Sequence, residues 1–208
     1  GAYQSWLSTP ERVATAYLVD LDGRIYEVFD PAQWAAHLGI PAAHNRAFRL
    51  DKRSIGIEIV NWGGLKLGAN GRLNSWPNNY RNRYCTIAET ARYVRKSYRG
   101  LEYFAASQQE AVCRLTRQLC DQFGIPKQLP DPAKRDLLDW SYFENYRGIA
   151  SHQNFNPEKT DIGPAFDWTV YDAHSFKINN SRVRFVIPPP RMTRRLACRV
   201  SGGSHLPC

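Results

Sequence analysis

Apolar and polar positions change their period along this chain, and the changes mark its elements. Residues 16–20 (Ala-Tyr-Leu-Val-Asp) and 25–29 (Ile-Tyr-Glu-Val-Phe) are short β-prone runs on either side of Leu21-Asp22-Gly23-Arg24. Asp-Gly between two such runs predicts a hairpin, because both turn positions tolerate positive φ. Pro31 then opens a helical turn over 31–36 that Gly39 can stop. Ser54-Ile-Gly-Ile-Glu-Ile-Val60 is a β-branched run broken only by Glu58, the pattern of a buried central strand. Residues 61–82 hold Gly, Asn, Pro and Trp without a period and read as loop with a small hairpin.

The period lengthens after Ser107-Gln-Gln-Glu110, which has the spacing of a capping box. The helix predicted from it carries Ala111, Leu115, Leu119, Cys120 and Phe123 on one face and ends at Gly124 and Pro126. Gly148-Ile-Ala-Ser-His152 reads as a short strand running into a loop. Pro164-Ala-Phe-Asp-Trp168 begins a last helix that can reach Phe176. Strands alternating with helices predict an α/β fold, a mixed central sheet flanked by helices. Beyond about residue 179, Pro188-Pro-Pro190, scattered arginines and Gly202-Gly-Ser predict an unstructured tail. The expected division is a domain over 1–178 and a basic tail over 179–208.

Composition changes this picture little. The chain has 208 residues, 43% of them apolar and 23% charged, which suits one domain with one hydrophobic core. No apolar run approaches the ~18 residues of a membrane span. The net charge of +9 is uneven: from Thr169 onward there are seven basic residues and one acid, Asp172. Such a tail suits an anionic partner, although a solvated tail is the simpler reading. With the excess charge in the tail and no nucleic-acid motif, a nucleic-acid binder is disfavoured, and a monomer is expected. The five cysteines form no CxxC pair, and Cys113 and Cys120 lie seven apart as small core groups. Their odd number argues against a complete disulfide framework and leaves the compartment open.

Three groups of residues carry candidate chemistry. Glu58 is a carboxylate in an apolar strand. Burial would raise its pKa and suit it to act as a general base, whereas at a strand end it would simply face water. His152 and Asp161 are ligand types that zinc uses, and the loop between them can return both to one ion. Lys159 could place a positive charge beside that ion, where it would stabilise an oxyanion. Trp34, His37, Trp62 and Trp76 form an aromatic and histidine group. Core is the better reading for Trp34, while His37 and Trp62, at loop edges, are candidates for substrate contact.

Taken in order, these segments are similar to a known family. Residues 16–29, Ala36-His-Leu-Gly39, Arg53-Ser-Ile-Gly-Ile-Glu-Ile-Val-Asn-Trp62, Ser151-His-Gln-Asn-Phe155 and Lys159-Thr-Asp-Ile-Gly-Pro-Ala-Phe-Asp-Trp168 resemble the type 2 N-acetylmuramoyl-L-alanine amidases. That fold is shared with peptidoglycan-recognition proteins, and the resemblance covers roughly residues 13 to 170. It implies Glu58 as catalytic base, Lys159 as oxyanion stabiliser, His152 and Asp161 as two of the zinc ligands, and His37 in the substrate groove. It also implies peptidoglycan or muropeptides as partner, and the cell envelope or the exterior as the place of action. A peptidoglycan-binding module without catalysis is the competing reading, but it would need none of Glu58, Lys159, His152 and Asp161.

The chain departs from the family's pattern at several points. The early-strand segment that carries the family's first zinc ligand has no counterpart. That ligand is expected upstream of Gly1, and the domain reads as N-terminally incomplete. Ala14-Thr-Ala-Tyr17 stands where Ser-Ala-His-Tyr is usual, and Asp161-Ile-Gly-Pro164 where Asp-Pro-Gly-Pro is usual.

Overall fold

Three strands set the frame. In a computed structural model, residues 2–8, 13–40, 47–61, 63–67, 73–74, 88, 90–95 and 98–171 are described. Strand β1 (Tyr17–Val19) pairs antiparallel with β2 (Ile25–Glu27), and in the turn between them Gly23 takes a φ of 80°. A side chain at Gly23 would also meet the Ser107 carbonyl oxygen at 2.6 Å, so two separate constraints require glycine there. On its other side β1 pairs in parallel with β3 (Ile57–Ile59), with Leu18 opposite Glu58. The sheet is mixed, as expected, but the order β2-β1-β3 makes β1 the middle strand among the described residues. β3, expected to be central and buried, is only half-buried.

The long helix α3 (Ala106–Phe123) packs on this sheet. Its Val112, Leu115 and Leu119 join Tyr17, Val19 and Ile25 of the hairpin in one core with Phe104, Phe166 and Tyr171. Burial of each large side chain in this layer contributes about 1.5–3 kcal/mol. Phe104 and Phe166 meet edge to face at 5.6 Å.

The end of α3 follows its stop signal: Gly124 adopts φ 62° and its N–H donates to the Cys120 carbonyl. The start does not follow the capping-box signal. The N-cap is Ala105, with no side-chain cap, and Ser107 falls inside the first turn instead of at the N-cap. Gln108 is fully buried and donates through Nε2 to the Val19 and Val60 carbonyls, while Gln109 Oε1 accepts from the Asp167 N–H. Phe123, expected on the apolar face, is exposed in the last turn.

The remaining elements are short. Helix α1 (Ala2–Ser8), helix α2 (Ala47–Asp51) and a hairpin of β6 (Ala91–Arg95) with β7 (Tyr98–Glu102) lie where the sequence predicts none. The small hairpin expected within 61–82 is β4 (Lys66–Leu67) with β5 (Leu73–Asn74). Residues 31–36 form turns instead of a helical turn. There the Asp30 carboxylate accepts from the Ala32 N–H and the Asp30 carbonyl from the Gln33 N–H.

The expected strand over 148–152 is irregular and leads into a 3-10 turn, His152–Asn154. Helix α4 (Trp140–Phe143) precedes it, and the last expected helix is a 3-10 turn, Trp168–Tyr171. Residues beyond Tyr171, the expected tail among them, lie outside the described residues. Among the described residues no helix is long and apolar enough to cross a membrane.

Candidate active site

Glu58 owes its place to strand alternation. Ile57 and Ile59 pack against the core under α3, so the pleat sends the intervening Glu58 side chain to the opposite face. There burial pushes its carboxyl above the usual glutamate range, and the negative charge of Asp161 pushes it further; His152 and Lys159 oppose the shift. A strand and a distant loop therefore place these four groups in one electrostatic neighbourhood.

The loop is built from its backbone. Ser151 caps the turn His152–Asn154: its N–H and its hydroxyl both donate to Asn154 Oδ1, each at 2.9 Å. The Gln153 N–H donates to the Asp161 carbonyl at 2.9 Å, which closes the loop and returns Asp161 to His152. Across that closure His152 Nδ1 lies 2.9 Å from Asp161 Oδ2. The Asp161 side chain is 59% exposed; partial desolvation would raise its carboxyl, but the hydrogen bond and charge of His152 outweigh this and hold the group below the usual range. Asp161 is thus an anion beside a carboxyl, Glu58, that favours its proton. Groups pushed in opposite directions suit different roles in acid–base chemistry.

His37 lies on a turn against the same loop. Its side chain is almost fully buried and rests on Gly56, where a Cβ would come 2.8 Å from His37 Cγ. Nδ1 lies 2.8 Å from the Ala35 carbonyl and Nε2 lies 2.9 Å from Ser54 Oγ. Burial lowers the pKa of His37, and the charge of His152 adds to this; the Ala35 carbonyl and Asp51 act in the other direction. The neutral ring then donates from Nδ1 to Ala35 and presents Nε2 as an acceptor toward Ser54. The Ser54 hydroxyl also lies 2.7 Å from the Leu50 carbonyl, so its single proton is shared between two acceptors.

Of the other aromatic candidates, Trp34 is half-buried beneath the Lys52 ammonium, 4.9 Å from its ring centre, and is no core residue. Trp62 and Trp76 lie outside the described residues. Sequence reasoning missed Asp51 and Asn156. Asp51 is 1% exposed and accepts from the His37 and Leu38 N–H groups at 2.9 and 3.0 Å. Asn156 is buried and donates from Nδ2 to the Gly39 carbonyl at 2.6 Å. Asp51-Lys52-Arg53 reads as a solvated charge run, and no local signal marks its first residue as buried.

His152 and Asp161 are a donor pair of the kind zinc takes, but no third His, Cys, Asp or Glu converges on them among the described residues. No curated protein and no solved structure matches the chain. The family model described as N-acetylmuramoyl-L-alanine amidase matches residues 2–164, a span that contains Glu58, His152, Lys159 and Asp161. With a mixed sheet, a flanking helix and this match over most of its length, the chain belongs to the N-acetylmuramoyl-L-alanine amidase family.

Proposed function

We propose that this protein is a zinc-dependent amidase that cleaves the bond between N-acetylmuramic acid and the L-alanine of the peptidoglycan stem, in the cell envelope or outside the cell. The reading is carried by one observation: His152 Nδ1 and Asp161 Oδ2, two ligand types that zinc uses, meet at 2.9 Å. The half-buried carboxyl of Glu58 feels both of them and Lys159.

The donor set fits zinc in its chemistry. Both ring nitrogens of His152 face oxygen acceptors, Asp161 Oδ2 and the Leu38 carbonyl, and an ion on the Asp161 side would replace the proton on Nδ1. His152 and Asp161 would hold it, with a third ligand from outside the described residues. When bound, zinc lowers the pKa of a coordinated water to about 7 and polarises a carbonyl.

The chain's own groups do the rest. Glu58 takes a proton from the attacking water on its carboxylate and returns it to the alanine nitrogen as the amide breaks. Its raised affinity for protons fits both halves of that transfer. Lys159 is exposed and close enough to act on Glu58 and Asp161, so its ammonium can balance charge that develops on the carbonyl oxygen. His37 stands at the edge of this site and contributes to substrate binding there, together with Trp62. Residues 1–178 belong to the catalytic domain, which acts as a monomer.

The test measures muropeptide hydrolysis and bound zinc together, on the whole chain and its Glu58→Ala variant. Zinc-dependent release of stem peptide that falls at least ~100-fold in the variant is the expected result. Zinc bound without turnover would assign a binding module instead, and neither zinc nor turnover would refute the amidase.

A further inference from the structure

The turn that carries His37 is held from both sides, and one of its carbonyls holds His152. On one side the Asp51 carboxylate, 1% exposed, accepts the His37 and Leu38 N–H groups. On the other side Asn156 Nδ2 donates to the Gly39 carbonyl at 2.6 Å and approaches the Leu38 carbonyl at 3.4 Å. The Leu38 carbonyl also receives His152 Nε2 at 2.8 Å. Asp51 ends helix α2, shortly before β3, and Asn156 follows the His152 turn. The turn at 37–39 therefore ties the segment leading to Glu58 to the loop bearing Asp161.

We infer that Asp51 and Asn156 are positioning residues that fix the ring orientation of His152, and keep Nε2 its donor to the Leu38 carbonyl. A backbone carbonyl can only accept, so the nitrogen facing it must carry a proton. Nε2 is therefore a protonated nitrogen, and Nδ1, turned toward Asp161, is the one where a metal would take the place of a proton. Outer hydrogen bonds of this kind orient ligating histidines, and their loss weakens metal binding about 10–100-fold. Neither residue touches the reacting atoms. Asp51 acts through two amides of a turn, and Asn156 through the turn's carbonyls.

This inference rests on the amidase reading only for its consequence in metal binding. The first readout needs neither zinc nor substrate. In histidine labelled with ¹⁵N, the metal-free protein should show a proton on His152 Nε2 protected from solvent exchange, with the signal assigned by its loss in His152→Gln. Asp51→Ala should abolish that protection, and Asp51→Asn, which keeps an accepting oxygen, should restore it.

Asn156→Ala is the second variant, in case Asp51→Ala does not fold; it should speed exchange of the same proton while the circular dichroism of the fold is kept. Zinc affinity, read by competition with a chromophoric chelator, should fall at least ~10-fold in Asp51→Ala or Asn156→Ala. A protected Nε2 proton in folded variants, with zinc affinity unchanged, would overturn the inference. If the wild type binds no zinc and cleaves no muropeptide, the amidase reading fails, and the exchange measurement still decides the positioning role.

Discussion

Gly56→Ala tests the packing that seats His37. Gly56 lies outside the left-handed region, so alanine meets no backbone strain there. Its new Cβ would stand 2.8 Å from His37 Cγ and 3.0 Å from Cβ and Cδ2, where ordinary contact begins at 3.4 Å. The imidazole must therefore retreat by several tenths of an ångström. It has little room to do so, because the side chain is 6% exposed and both nitrogens are bonded.

Overpacking of this kind costs about 1–3 kcal/mol. In the other direction, alanine narrows the unfolded ensemble and stabilises by about 0.4–1 kcal/mol. The net expectation is a loss of roughly 0.5–2 kcal/mol, seen as a lower urea midpoint at constant m-value. In a His37→Ala background the obstructing ring is gone and only the unfolded-state effect remains. The same substitution should then stabilise, by about 0.4–1 kcal/mol. Urea denaturation of the four proteins in the cycle measures both effects. Equal destabilisation in both backgrounds would refute the placement of His37 on Gly56.

Glu58→Gln should lower amide hydrolysis at least ~100-fold without loss of fold. The folded protein raises the Glu58 pKa, so the stability associated with its proton is present below the unfolded value and is lost as pH rises through the folded value. The variant should therefore gain stability relative to wild type above about pH 4.3, and denaturation at several pH values would show no such gain if the carboxyl were solvated. Asp139 is held down to about 2 by the Lys134 ammonium, with help from the Ser141 hydroxyl and the Tyr142 N–H. Its contribution is present above the unfolded value and is lost as pH falls toward about 2, and carbon NMR titration of Lys134→Met should find its midpoint moved upward. Asn154→Ala removes an amide that donates to the Lys134, Arg135 and Leu137 carbonyls and accepts from Ser151, at a site with 0% exposure. Each buried group left without a partner costs about 1–3 kcal/mol, so calorimetry should find a loss above ~3 kcal/mol or no cooperative transition.

The parts of this fold that were legible in the sequence are those with a local cause. Asp22-Gly23 makes a hairpin because glycine accepts the turn's φ, and Gly124 stops α3 for the same reason. The apolar run around Glu58 was legible as a strand, and its alternation gives Glu58 a face of its own. His152, Lys159 and Asp161 stood out through their motifs, and the loop closure through Gln153 and Asp161 gathers them near Glu58. Where distant partners decide, local signals mislead. Ser107-Gln-Gln-Glu110 resembles a cap, but the helix begins at Ala106, where Gln108 turns to the sheet and Gln109 to the Asp167 segment. Ile149 has the character of a strand residue, yet its N–H pairs with the Gln128 carbonyl and the Ser151 cap starts a turn. Asp51 bonds amides 13 and 14 positions away, a relation that no local window contains.

The two hydrogen bonds from Gln108 also bear on how this protein opens. One amide group bridges the Val19 carbonyl at the end of β1 and the Val60 carbonyl just past β3, across 89 and 48 positions of chain. Parting these two strands strips a buried amide of an acceptor, and lifting α3 away takes one donor from two carbonyls at once. Neither layer gains by moving first, so helix and sheet should exchange their amide hydrogens as one cooperative unit. The Gln108 amide does not reach the His152 loop, which should open on a shorter timescale while the strand bearing Glu58 stays closed.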